Sequence, residues 1–163
     1  MRAGSVAVGS EAPSETFTEF FRETEPRLRR ALAAAVGGEA GREAAAEALA
    51  YGWEHWDRVR SMGNPAGYLY RVGRSRARRL RRAGPEVLVP PRVAEEPWCE
   101  PGLRGALERL SERQRVAVML VHGFGYTTTE VGDLLGVEGG TVHKHAARGL
   151  AKIRAALGVV ADD

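Results

Sequence analysis

Residues 127–157 read TTTEVGDLLGVEGGTVHKHAARGLAKIRAAL, a pattern that predicts two helices joined by a tight glycine-containing turn. Thr127 followed by Glu130 forms a capping box and marks the start of the first helix. Gly136 ends that helix, because glycine has no β carbon to penalise a left-handed conformation at the helix end. A second, longer helix begins near Gly139. A short helix, a tight turn and a longer polar-faced helix are typical of a helix-turn-helix, whose second helix enters the major groove of DNA.

The second of these predicted helices separates its apolar and polar residues. The apolar positions that would seat it on the rest of the fold are Val142, Leu150, Ile153 and Leu157. The polar residues, which are the candidates for contact with DNA, are Thr141, His143, Lys144, His145 and Arg148. The alternative for this stretch alone is an ordinary helical hairpin whose polar residues face water.

Charge is unevenly distributed along the 163-residue chain. The formal net charge is only +3, yet residues 58–82 carry nine arginines and no acid. Residues 1–57, by contrast, carry six arginines against ten acids. Because no carboxylate offsets the nine cations of the middle block, this block indicates a polyanionic partner rather than a solvated basic helix.

Composition argues against several classes of protein. Cys99 is the single cysteine, so the chain has no disulfide framework or cysteine metal site, and a reducing compartment is expected. The sequence has no apolar run that would span a membrane and no apolar signal core, which predicts a soluble cytoplasmic chain without a membrane partner. It also has no phosphate-binding glycine loop, no nucleophile elbow and no persuasive metal-ligand pair. We therefore expect no enzymatic activity, no metal, no cofactor and no small-molecule substrate.

The N-terminal part of the chain predicts a disordered tail over residues 1–12, followed by a helix. Ser14 is expected to cap this first helix, and Pro26 is expected to kink or interrupt it. Two glycines at positions 37–38 end the helix, and Gly41 marks the start of the next one.

Two further helices would complete a small bundle. The second is predicted over residues 42–59 and the third over residues 65–82, with the turn signals of SMGNPAG between them. In the second helix, the residues expected from their helical spacing to pack in the core are Leu49, Trp53 and Trp56. The residues of the third helix expected to face inward are Leu69, Val72 and Leu80. Three helices with short loops can close a bundle.

The rest of the chain predicts a linker and a second helical unit. Residues 83–102 contain five prolines and predict an extended linker. Ser111 and Gln114 form another capping box, which opens a helix running to about His122. The predicted architecture is therefore all-α, with a three-helix bundle over residues 13–82 and a helix-turn-helix domain over residues 103–158.

Two longer segments point to one family. WEHWDRVRSMGNPAGYLYRVGRSRARRLRR, residues 53–82, resembles the end of a sigma-2 domain. LERLSERQRVAVMLVHGFGYTTTEVGDLLGVEGGTVHKHAARGLAKIRAAL, residues 107–157, resembles a sigma-4 domain through LxxLxxRQR, EVGDLLG, GGTV and RGLAKIR. With both segments in this order and spacing, residues 14–158 resemble an extracytoplasmic-function (ECF) sigma factor, a bacterial factor that directs RNA polymerase to promoters.

This resemblance implies three binding surfaces. The second helix would dock on the clamp of RNA polymerase core through Glu43, Glu47 and Glu54. The loop and third helix would melt and read the −10 promoter element through Arg58, Arg60, Ser61, Met62, Asn64, Tyr68, Arg71, Arg74 and Arg78. The second helix of the helix-turn-helix would read the −35 element through the five polar residues named above. The implied partners are the clamp and flap regions of RNA polymerase core and promoter DNA, and an anti-sigma factor is left open as a third.

The chain departs from the family pattern at several positions. Ala44–Ala46 stand where acidic residues and a Gln are common, Ser75 where Asn is common and Arg79 where Asp is common. Tyr68 replaces a frequent Trp, and Glu138 replaces the usual Ser at the cap of the −35 helix, where it is a poorer cap. The effect of these departures on polymerase and DNA binding is left open by the sequence.

Two other functions compete with this interpretation. TVHKHAARGLAKI, residues 141–153, also resembles the LuxR-type DNA-binding domain of regulators that do not recruit polymerase. Such regulators have no reason to carry Trp-Asp-Arg-Val before a loop and an arginine-rich helix, so the N-terminal half favours the sigma factor. A helical protein-interaction module would show no salt-sensitive retention on DNA.

Overall fold

The structure of the protein is a computed structural model that describes residues 16–83 and 100–159. The helices are α1 (Phe17–Val36), α2 (Gly38–Glu54), α3 (Trp56–Arg60), α4 (Pro65–Ala83), α5 (Leu103–Glu108), α6 (Glu112–Val118), α7 (Thr128–Leu135) and α8 (Gly139–Leu157). A π-helical turn, Met119–Gly123, continues α6. These two ranges contain no strand, and the predicted all-α fold class is confirmed. The predicted tail over residues 1–12 and most of the predicted linker, including Cys99, lie outside the described residues.

The first helix starts and continues differently from its prediction. Thr16 caps α1 through a capping box with Glu19, whereas the predicted cap, Ser14, lies outside the described residues. The helix runs unbroken across Pro26, so the predicted interruption is wrong. A proline removes one backbone donor, and the buried side chains of Leu28 and Leu32 beyond it hold the helix on the core.

The second predicted helix begins earlier and is divided in two. Gly37, with φ 106°, lets the chain turn directly into α2 at Gly38 rather than at Gly41. The predicted helix over residues 42–59 then breaks at His55, whose φ of −121° and ψ of 29° are not helical. The His55 carbonyl accepts hydrogen bonds from the next turn and so starts α3.

Two predicted core residues are exposed. Trp53 is 64% exposed and Leu80 is 53% exposed, whereas Leu49 and Leu69 are buried as predicted. Trp53 lies at the edge of the bundle, where its ring meets Phe17 edge-on at 5.2 Å between centroids. Leu80 lies one turn beyond the buried stretch of α4, so its helical spacing continues where the core has ended.

The N-terminal and C-terminal helices share one continuous hydrophobic core. Leu28, Leu32 and Leu69 from the first part of the chain belong to the same buried cluster as Val116 and Leu120 from the second. Helix α1 packs on α6, and α4 packs on α7. The two predicted domains therefore lie directly against each other in this structure.

Candidate nucleic-acid interface

The helix-turn-helix forms where the sequence predicted it. Thr127 and Glu130 make the capping box of α7, and hydrogen bonds from the Thr127 backbone and hydroxyl hold the pKa of Glu130 below its usual value. Gly136 adopts the left-handed conformation with φ 68°. Gly132 allows the turn to close over α7, because a β carbon there would lie 2.6 Å from the Val137 carbonyl oxygen.

The predicted DNA-reading residues of α8 divide by exposure. His143, Lys144 and Arg148 are exposed, and Thr141 and His145 are half-buried. On the opposite side of the helix, Val142, Ala146 and Ile153 are buried in the core. A rigidly seated helix with an open cationic face has the form that major-groove recognition requires. Contact between these residues and DNA stays a prediction.

Glu138, the residue before α8, makes no side-chain hydrogen bond to the helix. The structure thus agrees with the expectation that it is a poorer cap than serine. The start of α8 is held instead by backbone bonds, since the amides of Thr141 and Val142 donate to the Glu138 carbonyl at 2.9 and 3.2 Å.

The loop between α3 and α4 holds the residues predicted to handle the −10 element. Ser61 is exposed and its hydroxyl donates to the Arg58 carbonyl at 2.8 Å. Both the oxygen and the nitrogen of the Asn64 side-chain amide already make hydrogen bonds. Its Oδ1 accepts the Gly67 amide at 2.8 Å, which caps α4, and its Nδ2 donates to the backbone carbonyl of Asp133 in α7. The loop residue predicted to hold a base is therefore bonded to the helix-turn-helix.

The α4 arginines predicted to bind the −10 element are not all open to solvent. The guanidinium groups of Arg74 and Arg78 both bind the carboxylate of Glu112, the first residue of α6. The Arg78 Nη2 to Glu112 Oε2 distance is 2.8 Å. Arg71 is exposed, with its guanidinium close to Gly136. Sequence reasoning missed Glu112, because an acid 34 or 38 residues away from its partners carries no local signal of the pairing.

Partial burial shifts the pKa values of two groups where α4 meets α6. Burial acts to raise the pKa of the Glu112 carboxyl, but the hydrogen bonds from Arg74 and Arg78 outweigh burial and hold that pKa below its usual value. The pKa of the neighbouring Tyr70 is shifted upward instead. Burial, together with the nearby Glu112 carboxylate, raises the pKa of Tyr70 to about 12. Glu112 is thus an ionised acid held against two arginines predicted to bind DNA.

The remaining residues predicted for the −10 element lie near α3 and the start of α4. Arg58 and Arg60 are exposed, and Arg60 forms a surface ion pair with Asp57 at 3.0 Å. The hydroxyl of Tyr68 lies 3.2 Å from that of Tyr51, and this hydrogen bond raises the pKa of Tyr68. Met62 is half-buried.

The three glutamates predicted to meet polymerase differ in their surroundings. Glu43 and Glu54 are exposed on α2, whereas Glu47 is half-buried and pairs with Arg76 of α4 at 3.5 Å. The same helix also contributes Trp53 to an apolar groove whose other wall is α1, with Phe21 exposed at its rim. This groove was not predicted from the sequence, because helical spacing placed Trp53 in the core.

The described ranges contain neither a candidate metal site nor a candidate membrane-spanning helix. No group of three or more His, Cys, Asp or Glu side chains there could hold a metal ion. No helix among the described residues is both long enough and apolar enough to cross a membrane.

Comparisons with known proteins give one match by sequence and one by fold. Residues 102–153 match the family model described as Sigma-70, region 4. In fold, the chain is similar to the sigma factor RpoE of Bartonella quintana, solved in complex with the anti-sigma factor NepR. The TM-score is 0.58 at 19% identity, and the match covers 89% of this chain and 98% of the RpoE chain. No curated protein matches the sequence.

The two matches support different statements. At 19% identity the similarity to RpoE shows the fold, and it extends over the N-terminal helices as well as the C-terminal ones. The match over residues 102–153 identifies the C-terminal helices by sequence. Together they confirm the predicted resemblance to a sigma factor.

Proposed function

We propose that this chain, a region 4 helix-turn-helix on a sigma-factor fold, binds RNA polymerase core and directs it to specific promoters. In this proposal α8 reads the −35 element, the α3–α4 loop with α4 melts and reads the −10 element, and α2 docks on the polymerase clamp. The observation that carries the proposal is the open cationic face of α8, seated on a buried core within the region 4 match. A cytoplasmic location follows from a polymerase partner.

Recognition of the −35 element would rest on the exposed residues of α8. Lys144 and Arg148 carry the positive charge of this face, and His143 lies between them and the helix start. A side chain that makes a good bidentate contact with a base edge discriminates by ~1–3 kcal/mol. Contacts with phosphate instead add affinity that falls with salt concentration.

Recognition of the −10 element would rest on the loop and on α4. Ser61 and the exposed guanidinium groups of Arg58, Arg60 and Arg71 are open to a nucleic-acid strand. An unstacked base needs a pocket beside a strand-binding surface rather than a helix that fills a groove. In this proposal the loop would hold the unstacked base, and the arginines would bind the strand beside it.

Polymerase docking would rest on the exposed face of α2. Glu43 and Glu54 offer carboxylates there, and Trp53 and Phe21 add apolar area on the same side of the bundle. Exposed aromatic residues of this size are common anchors in protein interfaces. The flap of polymerase would bind the C-terminal helices, and an anti-sigma factor is proposed as a further partner by analogy with the RpoE complex.

The decisive experiment is transcription in vitro with a bacterial core RNA polymerase and a library of promoter templates. Transcripts from a defined subset of templates are expected only when core and this chain are both present. The matched control is the Lys144→Ala, Arg148→Ala double variant, which should still bind core but lose selection by the −35 element.

Other outcomes of this experiment have clear meanings. A chain that never directs transcription but is retained on duplex DNA at low salt is a helix-turn-helix regulator of the LuxR type. A chain that neither directs transcription nor binds DNA is a protein-interaction module.

A further inference from the structure

A cavity of about 230 Å³ lies where α4 meets α6 and the helix-turn-helix. Three of the residues that line it are apolar: Val116, Leu135 and Val137. Four others carry or can take up positive charge: Arg71, Arg74, Arg113 and His145. Pockets for drug-sized ligands measure roughly 300–1,000 Å³, so this cavity suits a smaller molecule.

We infer that this cavity binds a small phosphate monoester whose other end is an aromatic or aliphatic group. The phosphate would lie among the arginines, and the apolar group would pack on Val116, Leu135 and Val137. This inference goes beyond the proposed function, and binding can be measured without RNA polymerase or promoter DNA.

The lining of the cavity carries more positive than negative charge. Glu112 is the acid that lines it, and its two carboxylate oxygens already bind Arg74 and Arg78. Arg71 and Arg113 are exposed, and neither forms an ion pair with a residue of the described ranges. Two guanidinium groups therefore remain available to an anion, and a guanidinium can bind a phosphate through two parallel hydrogen bonds.

The hydroxyl of Tyr70 adds a neutral donor to these two cations. The residue lines the cavity and is only 6% exposed, yet its hydroxyl makes no hydrogen bond within residues 16–83 and 100–159. It is not one of the fully enclosed polar atoms of these residues that lack a partner, so it must open onto the cavity. Burial raises the pKa of Tyr70 to about 12, so the hydroxyl keeps its proton at neutral pH and can donate it to a ligand oxygen.

A phosphate monoester matches these donors better than a carboxylate does. It has three strong acceptor oxygens and carries up to two negative charges near neutral pH, and three donor side chains face it here: Arg71, Arg113 and Tyr70. Inorganic phosphate alone would leave the apolar lining uncovered. An aromatic ring on the ester would remove that lining from water and so stabilise the complex.

The test is isothermal titration calorimetry of the full chain with four probes. Phenyl phosphate has both parts of the expected ligand, inorganic phosphate has the charge alone, phenol has the ring alone, and benzoate replaces the phosphate by a carboxylate. Phenyl phosphate should bind more tightly than each of the others. The difference from inorganic phosphate should be about tenfold or more, which is what burial of a ring contributes.

Two variants place the ligand in this cavity. Arg113→Gln removes a guanidinium and should weaken phenyl phosphate binding about tenfold, since a hydrogen bond to a charged group contributes roughly that factor. Tyr70→Phe removes only the hydroxyl and should give a smaller loss. Arg109→Gln is the matched control, because Arg109 is also an exposed arginine of the C-terminal helices but does not line the cavity. Its affinity should equal that of the wild type.

The inference is overturned if phenyl phosphate binds no more tightly than inorganic phosphate, which would make the cavity a cluster of arginines that attracts any phosphate, including that of DNA. Equal binding of benzoate, or equal losses in Arg109→Gln and Arg113→Gln, would overturn it as well. Failure of the proposed function looks different. In that case the chain binds phenyl phosphate as expected, yet it does not direct transcription by core polymerase.

Discussion

Gly41 lies so close to Ala33 that a β carbon on Gly41 would come within 2.3 Å of the Ala33 α carbon. The backbones of α1 and α2 therefore touch at this point, and the atoms in the way belong to the backbone, which cannot move aside as the end of a flexible side chain can. Replacement of Gly41 by any other residue must separate the two helices.

We expect Gly41→Ala to lower the free energy of unfolding by about 2 kcal/mol or more, because overpacking a rigid contact forces backbone shifts. Urea denaturation followed by circular dichroism measures this loss. Gly38→Ala is the control, since a β carbon on Gly38 meets nothing within 4 Å. Equal unfolding midpoints for the two variants would mean that α1 and α2 are further apart than described.

Tyr70 should make the stability of the protein depend on alkaline pH. Its pKa is raised to about 12 in the folded chain, whereas an unfolded tyrosine ionises near pH ~10. Between these values the unfolded state loses the proton and the folded state keeps it, so the contribution of Tyr70 is present below pH ~10 and is lost as pH rises toward about 12. At pH ~11 the loss amounts to about 1.4 kcal/mol.

Urea unfolding of the wild type and of Tyr70→Phe at several alkaline pH values measures this difference. The variant should lose less stability than the wild type over the same interval, and its tyrosinate absorbance should lack the latest-titrating component. Parallel loss of stability in the two proteins would show that Tyr70 ionises like a solvent-exposed tyrosine.

Lys144→Ala and Arg148→Ala should each reduce use of the −35 element more than melting at the −10 element, because both side chains lie on the open face of α8. Lys152→Ala is a matched control on the same helix, where the lysine ammonium donates to Gln114 at 3.1 Å. Transcription from one promoter and from its −35 mutant measures the effect. If both templates lose activity equally, the two residues touch phosphate alone.

Charge reversal of Glu43 and Glu54 together should weaken co-purification with polymerase core while leaving the fold intact, because both carboxylates are exposed. Glu39→Lys is the control on the same helix: it breaks an ion pair with Arg42, but that pair lies at the surface, where the Glu39 side chain is 91% exposed and such a pair contributes little. Glu47 is a poorer test, because reversing its charge also removes the partner of Arg76. Undiminished retention of the double variant would place the polymerase contact elsewhere.

Local signals in the sequence predicted the C-terminal helices well. The capping box of Thr127 and Glu130 and the left-handed Gly136 act over a few residues, so the sequence alone determines them. Helical spacing was less informative for Trp53 and Leu80. Spacing identifies residues that share a helix face, but it does not show where the core ends. It also does not show that the helix breaks at His55, which changes the direction in which later residues point.

The candidate site could be predicted only in part, for a related reason. The exposed face of α8 follows from the pattern of apolar and polar residues within that helix. The pairing of Glu112 with Arg74 and Arg78 depends on how α4 meets α6, and no local pattern encodes a contact between helices so far apart in the chain. Charge counting found the arginines but could not find the carboxylate that binds them.

The π-helical turn over Met119–Gly123 has a consequence at the level of the gene. The amide of Phe124 donates to the Met119 carbonyl at 3.0 Å, five residues back, so this turn holds one residue more than an α-helical turn. Loss of a single codon here would rotate the following chain by about 100°. Phe124, which lies 4.6 Å from the Arg30 guanidinium, and Tyr126 would then leave α1. We therefore expect in-frame deletions or insertions within this turn to be more damaging than amino-acid substitutions at the same positions.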